Sequence, residues 1–279
     1  MEGRRARDIV EEAEARADLL ATHLTSVLRS SARIAVLHGP NCRGLARHLA
    51  TVIKLCRPDT DVFYMDADYA HNTLLPYIAE NLDAVIVLSQ SLSHLARAAT
   101  ASRLVGLRTL AVTTSVPERV RHAVRGVELI ELEPESLHLS TLIASIRVGA
   151  SLGGAARIER LRRETSFSTV VEDLGRRYGR EIDAIRSGFT VVASISMESL
   201  AEFLRSRGAR ALTLAEAAST LPKRALLAYS SSEEHEVLET ATRLRAEGSE
   251  VAMLRINTDP LTAPIYGIIL ALKALSGAK

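Results

Sequence analysis

The sequence is poor in the residues that build disulfide, metal and aromatic sites. It has no tryptophan, 4% aromatic residues, two cysteines and a single glutamine. Two cysteines, Cys42 and Cys56, are too few for a disulfide framework, and no His or Cys cluster accompanies them as a metal site would require. We therefore expect no metal and no redox cofactor.

Long apolar runs are also missing. No stretch stays apolar over the roughly 18 residues that a membrane-spanning helix needs. The charged N-terminus, MEGRRARDIVEEAEARADLL, lacks the apolar core of a secretory signal. These absences predict a cytoplasmic protein with no membrane partner.

An excess of positive charge is absent too, because the 35 lysine and arginine residues are nearly balanced by 33 aspartate and glutamate residues. Proteins dedicated to nucleic acids usually concentrate basic residues on one face or in a tail, so we expect no nucleic-acid partner. Only four of the basic residues are lysine. Scarce Gln and Asn with abundant Arg indicate a thermophilic or GC-rich source.

What is present is a regular alternation of short apolar runs and helical segments. The runs do not alternate polar and apolar residues, which is typical of parallel strands buried on both faces. Strands are predicted at 33–39, 61–66, 83–89, 108–115, 127–133, 189–196, 209–215, 224–232 and 249–257. Helices are predicted at 4–28, 42–56, from about 72, and at 92–104, 117–124, 137–149, 197–208, 233–248 and 260–275.

The two halves of the chain repeat one layout: strand, serine-rich loop, helix, glycine, strand. A Gly-rich stretch at 150–156 is typical of a hinge. The predicted fold class is α/β, with two doubly wound parallel-sheet domains of flavodoxin-like type and helices on both faces. We place the domains at 1–153 and 154–279, with a connecting helix at about 157–187.

A cluster of polar residues lies at the end of the third predicted strand and directly after it. Ser89, Gln90, Ser91 and Ser93 lie between a buried run and a helix. With a flavodoxin-like strand order, this loop lies beside the loop HGPNCRG (38–44) after the first strand. A helix N-terminus suits a phosphate, and short hydroxyl side chains add donors without blocking its approach. The alternative is that these serines only cap the helix.

The six residues Ser89-Gln90-Ser91-Leu92-Ser93-His94 resemble the S-x-S-G-E-T core of the SIS (sugar isomerase) domain family. Further along, Glu135, Ser140 and Thr141 match the spacing of the E-x-G-V-A-S-T-K segment of that family's aminotransferase branch. The segment DPLTAPIYGIILALKAL resembles the closing helix of a second SIS domain. The chain is thus similar to double-SIS proteins, such as the isomerase half of glutamine–fructose-6-phosphate aminotransferase and archaeal phosphoglucose/phosphomannose isomerases.

The resemblance implies a phosphorylated sugar as ligand and a homodimer as assembly. It implies that the serine loop holds the phosphate, that Ser140 approaches the sugar, and that Thr113 and Thr114 flank the pocket. Side-chain chemistry indicates two further candidates beside these loops: Arg43, a cation that can pair with a phosphate, and the imidazole of His94. The candidate substrate-binding residues are Asn41, Cys42, Arg43, Ser89, Gln90, Ser91, Ser93, His94 and Ser140.

The sequence departs from the family pattern at several positions. Leu92 replaces the glycine of the core motif, His94 replaces its threonine, and Leu142 replaces the lysine of S-T-K. Isomerisation needs a base and an acid to move protons between neighbouring carbons. The available candidates, Glu202, Glu233, Glu234, His235, His94 and Lys279, each have a simpler explanation as surface, first-turn or terminal residues, except that His94 lies in the loop region.

Three functions therefore stay open. The first is a phosphosugar isomerase or aminotransferase-type enzyme, which would take ammonia directly or from a separate partner. The second is a catalytically degenerate sugar-phosphate sensor or regulatory subunit. The third is a structural paralogue whose pocket is filled by Leu92 and which binds no small ligand.

Overall fold

The computed structural model describes residues 5–153, 156–161 and 166–276. The chain divides into two compact units. The first unit is Glu12–Thr165, and the second is Ser166–Lys279 together with Met1–Glu11.

The first unit contains a five-stranded parallel sheet in the order β2-β1-β3-β4-β5. This is the flavodoxin-like order that the sequence pattern predicted. Its strands are β1 Arg33–His38, β2 Asp61–Asp66, β3 Ala84–Ser89, β4 Arg108–Thr113 and β5 Glu128–Glu131.

The second unit contains a four-stranded parallel sheet in the order β7-β6-β8-β9. Its strands are β6 Thr190–Ala193, β7 Ala211–Thr213, β8 Arg224–Ser230 and β9 Glu250–Ile256. The predicted α/β class with two parallel-sheet domains is confirmed.

Helices cover the sheets and connect successive strands. They are α1 Ala6–Arg29, α2 Arg43–Cys56, α3 Ala67–Tyr69, α4 Leu75–Ile78, α5 Leu92–Leu104, α6 Leu137–Leu152, α7 Ala156–Leu161, α8 Val171–Arg177, α9 Gly179–Arg186, α10 Glu198–Ser206, α11 Leu214–Thr220, α12 Glu234–Ala246 and α13 Ala263–Ser276. Short 3-10 segments lie at Ala79–Asn81, Glu118–Val124, Ser168–Val170 and Ser231–Glu233.

Strand position in the sheet explains the apolar runs. Every residue of β3 is buried, because the strand has a neighbour on each side and helices on both faces. β2 lies at the sheet edge and is only partly buried or exposed along its length. The unbroken apolar run AVIVL therefore marks a central strand, and the mixed run DVFYMD marks an edge strand.

Several local predictions differ from the structure. The helix expected at 117–124 is a 3-10 segment, Glu118–Val124, and the strand expected at 189–196 ends at Ala193. The helix expected from about residue 72 begins at Ala67, where the Asp66 carboxylate accepts from the Asp68 and Tyr69 amides, and it continues through a π-helical turn at Ala70–Leu74. The strand expected at 209–215 ends at Thr213, which caps α11 through a capping box with Glu216. α6 runs to Leu152, three residues past its expected end.

The domain limits at 153 and 154 remain a proposal. As packed, the first unit extends to Thr165, since α7 lies against α6. The single connecting helix expected at about 157–187 is divided, with α8 and α9 meeting at Tyr178; residues 162–165 lie outside the described ranges. Within those ranges, no helix is long and apolar enough to cross a membrane.

Gly149 sets the spacing between α6 and its neighbours. A Cβ atom there would lie 2.8 Å from Val52 Cγ1, 3.0 Å from Cys56 Sγ and 3.0 Å from Ile158 Cγ2. A helical glycine is ordinarily a weakness, so its presence here reflects close packing.

We expect Gly149→Ala to lower the thermal stability. Overpacking costs about 1–3 kcal/mol, which offsets or exceeds the gain of about 1 kcal/mol in helix propensity. Gly179→Ala is the matched control, because a Cβ in that helix meets open space. Thermal unfolding of both variants checks this, and equal tolerance of the two substitutions would contradict it.

Candidate functional site

Two loops meet at the carboxyl edge of the first sheet because β1 and β3 are adjacent. His38 at the end of β1 is paired with Leu88 of β3. The ladder continues one residue further, where the Gly39 amide donates to the Leu88 carbonyl at 2.9 Å. The loop 39–42 therefore lies directly beside the serine loop 89–91, as the strand order predicted.

Gly39 permits this close approach. A Cβ atom at position 39 would lie 2.2 Å from Ser89 Oγ and 2.9 Å from Ser89 Cβ. No other residue type fits against Ser89 without moving one of the two loops. Sequence reasoning did not single out Gly39, although a glycine directly after a buried strand is the available signal.

Ser89 shapes the serine loop from inside. Its side chain is fully buried, its hydroxyl donates to the Ser91 carbonyl at 3.1 Å, and the Ser91 amide donates back to it at 3.0 Å. A phosphate contact through Ser89, as predicted, would require this hydroxyl to exchange its partners. Ser89 thus has a clear structural role as the residue that turns the chain into α5.

Ser91 and Ser93 carry the exposed hydroxyls of the loop. Ser91 Oγ lies 3.0 Å from Ser93 Oγ and 2.8 Å from His94 Nδ1. The N-cap residue of α5 is Ser91, yet its side chain makes no capping hydrogen bond to the first-turn amides. The capping explanation of this serine therefore fails in the structure, and the hydroxyl faces His94 instead.

Asp68 and Arg97 complete this cluster, and sequence reasoning found neither. His94 Nε2 lies 3.3 Å from Asp68 Oδ2, and Arg97 Nη1 donates to the same oxygen at 2.9 Å. Asp68 comes from α3, just after β2, whereas His94 and Arg97 are one turn apart on α5. Their spacing of three residues was the available signal for a shared partner.

A buried histidine joins three segments at the same edge. His138 Nε2 lies 2.8 Å from the Asn41 carbonyl, and its Nδ1 lies 3.4 Å from Gln90 Nε2. Since a carbonyl only accepts, Nε2 carries the proton and Nδ1 accepts from the Gln90 amide. Burial lowers the pKa of His138 to about 4, despite the hydrogen bond to Asn41, so the ring is neutral.

His138 explains two of the predicted site residues. Asn41 adopts a left-handed conformation with φ 58°, which turns its carbonyl toward the ring. Gln90 is held by the same ring, so the chain's one glutamine connects the serine loop to α6. Position 138 lies within the stretch from Glu135 to Thr141 that resembles the family's E-x-G-V-A-S-T-K segment, but the sequence predicted no role for it.

The other predicted residues lie at the same edge with different exposures. Cys42 is fully buried before α2, and Arg43 begins that helix with an exposed side chain. Ser140 is fully buried on α6, and its Oγ has no hydrogen-bond partner among the described residues. Thr113 Oγ1, at the end of β4 beside Ser89, is likewise buried and has no hydrogen-bond partner among the described residues.

The second unit has a comparable serine-rich edge, but a carboxylate of the chain itself occupies it. Glu233 accepts from the hydroxyls of Ser194, Ser196 and Ser230 and from the amide of Ser196; the Ser194 and Ser230 bonds are 2.7 and 2.8 Å. Sequence reasoning explained Glu233 by the helix dipole alone. In the structure its carboxylate is also held by hydrogen bonds from Ser194 and Ser196, which follow β6.

The remaining candidate bases lie elsewhere. Glu202 was expected on a helix surface, but it is 2% exposed on α10, within a continuous run of buried residues from Glu198 to Leu204. His235 is exposed, as expected, 3.4 Å from Glu239, and Glu234 pairs with Arg255 at 3.1 Å. Lys279 lies outside the described residues, which contain no His, Cys, Asp and Glu group suited to a metal ion.

No protein-family model matches the chain, and no curated protein matches it in sequence. Solved structures share its architecture. The C-terminal domain of glucosamine-fructose-6-phosphate aminotransferase from Francisella tularensis is 13% identical, with a TM-score of 0.65 over 97% of this chain and 93% of that one. Glucosamine-6-phosphate deaminase from Thermotoga maritima is 10% identical, with a TM-score of 0.63 over 98% and 92%.

A Silicibacter pomeroyi protein assigned to the phosphosugar isomerases gives a TM-score of 0.65 at 14% identity, over 98% of this chain and 96% of its own. These likenesses extend over nearly the whole chain in every case. The chain therefore has the two-domain SIS-type fold, and the resemblance drawn from the serine loop is confirmed at the level of the fold.

We expect Gly39→Ala to destabilise the first unit and the additional change Ser89→Gly to restore part of the loss. The double variant removes both atoms that the new methyl group meets, leaving only His94 Cβ at 3.5 Å. A double-mutant cycle on thermal unfolding measures the coupling between the two positions. Strictly additive effects would show that the two loops are further apart than described.

We expect the stabilising effect of Glu233 to disappear in acid. Burial raises the pKa of its carboxyl, but hydrogen bonds from Ser196, Ser194 and Ser230 outweigh burial and hold the pKa below its usual value. The contribution to stability is therefore present above the ordinary glutamate pKa and is lost as the pH falls through the folded value.

The measurement is the melting temperature of wild type and Glu233→Gln from about pH 7 to about pH 3, a range that spans the ordinary glutamate pKa. The difference between the two proteins should shrink toward the acid end. Glu236→Gln, on the exposed face of the same helix, is the control and should show little difference at any pH. A difference for Glu233→Gln that is independent of pH would contradict the assignment.

Proposed function

We propose that the chain binds a phosphorylated sugar at the edge formed by Gly39–Cys42 and Ser89–His94. The observation that carries the proposal is the uncapped N-terminus of α5. First-turn amides that have no side-chain acceptor are the donors that phosphate oxygens use. Ser91 and Ser93 place two hydroxyl groups beside those amides.

The charge around the loop is compatible with an anion. Asp68 is the nearby carboxylate, and the Arg97 guanidinium lies 2.9 Å from it, so its negative charge is offset. The exposed Arg43 adds a cation on the neighbouring loop. The unpaired hydroxyls of Ser140 and Thr113 are candidate donors to the sugar, since a buried hydroxyl without a partner is costly.

Leu92 supports the binding hypotheses against the structural paralogue. Its partly buried side chain packs against the hydrophobic cluster that contains Leu37, Val87 and Leu95. That cluster lies under α5, so this packing accounts for the leucine in place of the family's glycine and argues against its filling the pocket.

The choice between an enzyme and a sensor depends on whether a general acid and a general base are available beside the bound sugar. The neighbours in fold include proteins named as an aminotransferase domain and a deaminase of amino-sugar phosphates. In the first unit, however, the carboxylate beside the loop is Asp68, which already binds Arg97. Of the two, we favour a sugar-phosphate sensor or regulatory subunit, and we keep isomerase chemistry as the alternative. A homodimer in the cytoplasm remains part of the proposal on the strength of the family resemblance.

Fructose-6-phosphate, glucose-6-phosphate and glucosamine-6-phosphate should raise the melting temperature of the protein. Ligand at about 100 times its dissociation constant stabilises the folded state by roughly 2.7 kcal/mol. We expect Ser91→Ala to remove the shift, because one hydroxyl of the anion site is lost. Ser219→Ala, an exposed serine bonded only to its own helix, is the control and should keep the shift.

No shift with any of the three sugars at millimolar concentration would contradict the binding proposal. A shift accompanied by turnover between ketose and aldose would favour the enzyme, whereas a shift without turnover would favour the sensor.

A further inference from the structure

We propose that Ser91 is a nucleophile activated by His94 and that it reacts with small carboxylic esters. The inference uses the serine loop of the proposed function but does not depend on sugar-phosphate binding. It starts from His94, one of the residues at which the loop departs from the family motif, and from its contact with Ser91.

The geometry is that of a serine, a base and an orienting carboxylate. His94 Nδ1 lies 2.8 Å from Ser91 Oγ, and His94 Nε2 lies 3.3 Å from Asp68 Oδ2. Arg97 donates to the same Asp68 oxygen at 2.9 Å and fixes the carboxylate on that side. The three groups come from the serine loop, α5 and α3, so tertiary packing assembles them.

The proton positions follow from the partners. The Asp68 carboxylate favours a proton on the ring nitrogen that faces it, Nε2. The other nitrogen, Nδ1, then accepts a hydrogen bond; it lies 2.8 Å from Ser91 Oγ and 3.3 Å from Ser93 Oγ, so the Ser91 hydroxyl is its nearer donor. Ser93 Oγ, 3.0 Å from Ser91 Oγ, can donate to the same serine. Nδ1 is thus placed as a general base toward Ser91.

The start of α5 also supplies donors for a developing oxyanion. The Ser91 hydroxyl is hydrogen-bonded to His94 and makes no hydrogen bond with the amides of the first turn. Those amides follow Ser91 directly in the chain, donate no hydrogen bond to its side chain, and are the kind of donor that stabilises an oxyanion. The cluster is open to a substrate, since the His94 side chain keeps 20% of its surface exposed and the Asp68 side chain keeps 32%.

The reaction is an acyl transfer. Ser91 Oγ attacks the ester carbonyl carbon, and the hydroxyl proton passes to His94 Nδ1. The carbon–oxygen bond to the alcohol breaks, and the alcohol leaves with the proton that His94 held. Water then attacks the acyl-serine by the same route, which releases the carboxylic acid and restores Ser91. Asp68 acts as a positioning residue that stabilises the charged ring.

The test uses the full chain with two probes, p-nitrophenyl acetate and a fluorophosphonate. Wild type should release p-nitrophenolate, and the fluorophosphonate should form an adduct that peptide mass spectrometry locates at Ser91. His94→Ala should slow both reactions by about 10²-fold, the usual contribution of a general base. Added imidazole should restore part of the rate in His94→Ala, an effect that a merely structural histidine would not give.

Adduct at Ser91 that forms at the same rate in wild type and His94→Ala, or no adduct at Ser91, would overturn the proposal and leave His94 as a structural partner of Ser91. Circular dichroism of each variant shows that loss of reaction does not reflect unfolding. Labelling is measured without sugar phosphate, so it succeeds or fails independently of the thermal shift. A protein that labels but shows no shift sinks the proposed function alone, and the converse result sinks this inference alone.

Discussion

Every feature of the first unit's loop edge depends on the parallel pairing of β1 with β3. That pairing places two chain reversals side by side, and the hydrogen bond from Gly39 to Leu88 extends the ladder one residue beyond the strands. With a Cβ at position 39 the loops could not pack at this distance. Packing between backbone and side chain, more than any charge, therefore locates the hydroxyl groups that define the site.

The two halves of the chain use the same architecture in different ways. Both present serines after a central strand of a parallel sheet. In the second unit, the Glu233 carboxylate satisfies those donors from within the chain. In the first unit, Ser89 is satisfied by its own loop, while Ser91 and Ser93 remain at the surface. The serine-rich edge therefore carries an internal carboxylate in one unit and outward-facing hydroxyls in the other.

The sequence was sufficient for the fold and for the adjacency of the two loops, because both follow from one-dimensional patterns. Unbroken apolar runs and regular helical spacing identify β1, β3 and α5, and the strand order then brings their loops together. Asp68, Arg97 and His138 could not be found in this way, since each acts through a partner distant in sequence. Glu202 was assigned to the surface because a carboxylate usually lies there, whereas it belongs to a continuous run of buried residues on α10, Glu198 to Leu204. The role of Glu233 likewise depends on Ser194 and Ser196, about forty residues away. A rule about charges in the first turn of a helix considers only neighbouring residues, so it cannot find these partners.

The buried imidazole of His138 has a consequence for how the loops respond to acidity. Its low pKa keeps the ring neutral across the range in which a phosphate monoester, with a second pKa of about 6, gains or loses a charge. The loops at Asn41 and Gln90 are then held by the same two hydrogen bonds to His138, whether an arriving phosphate carries one charge or two. The scaffold beneath the proposed site is thus insensitive to the ionisation of a phosphate, and any discrimination between monoanion and dianion would depend on the groups at the surface of the loops.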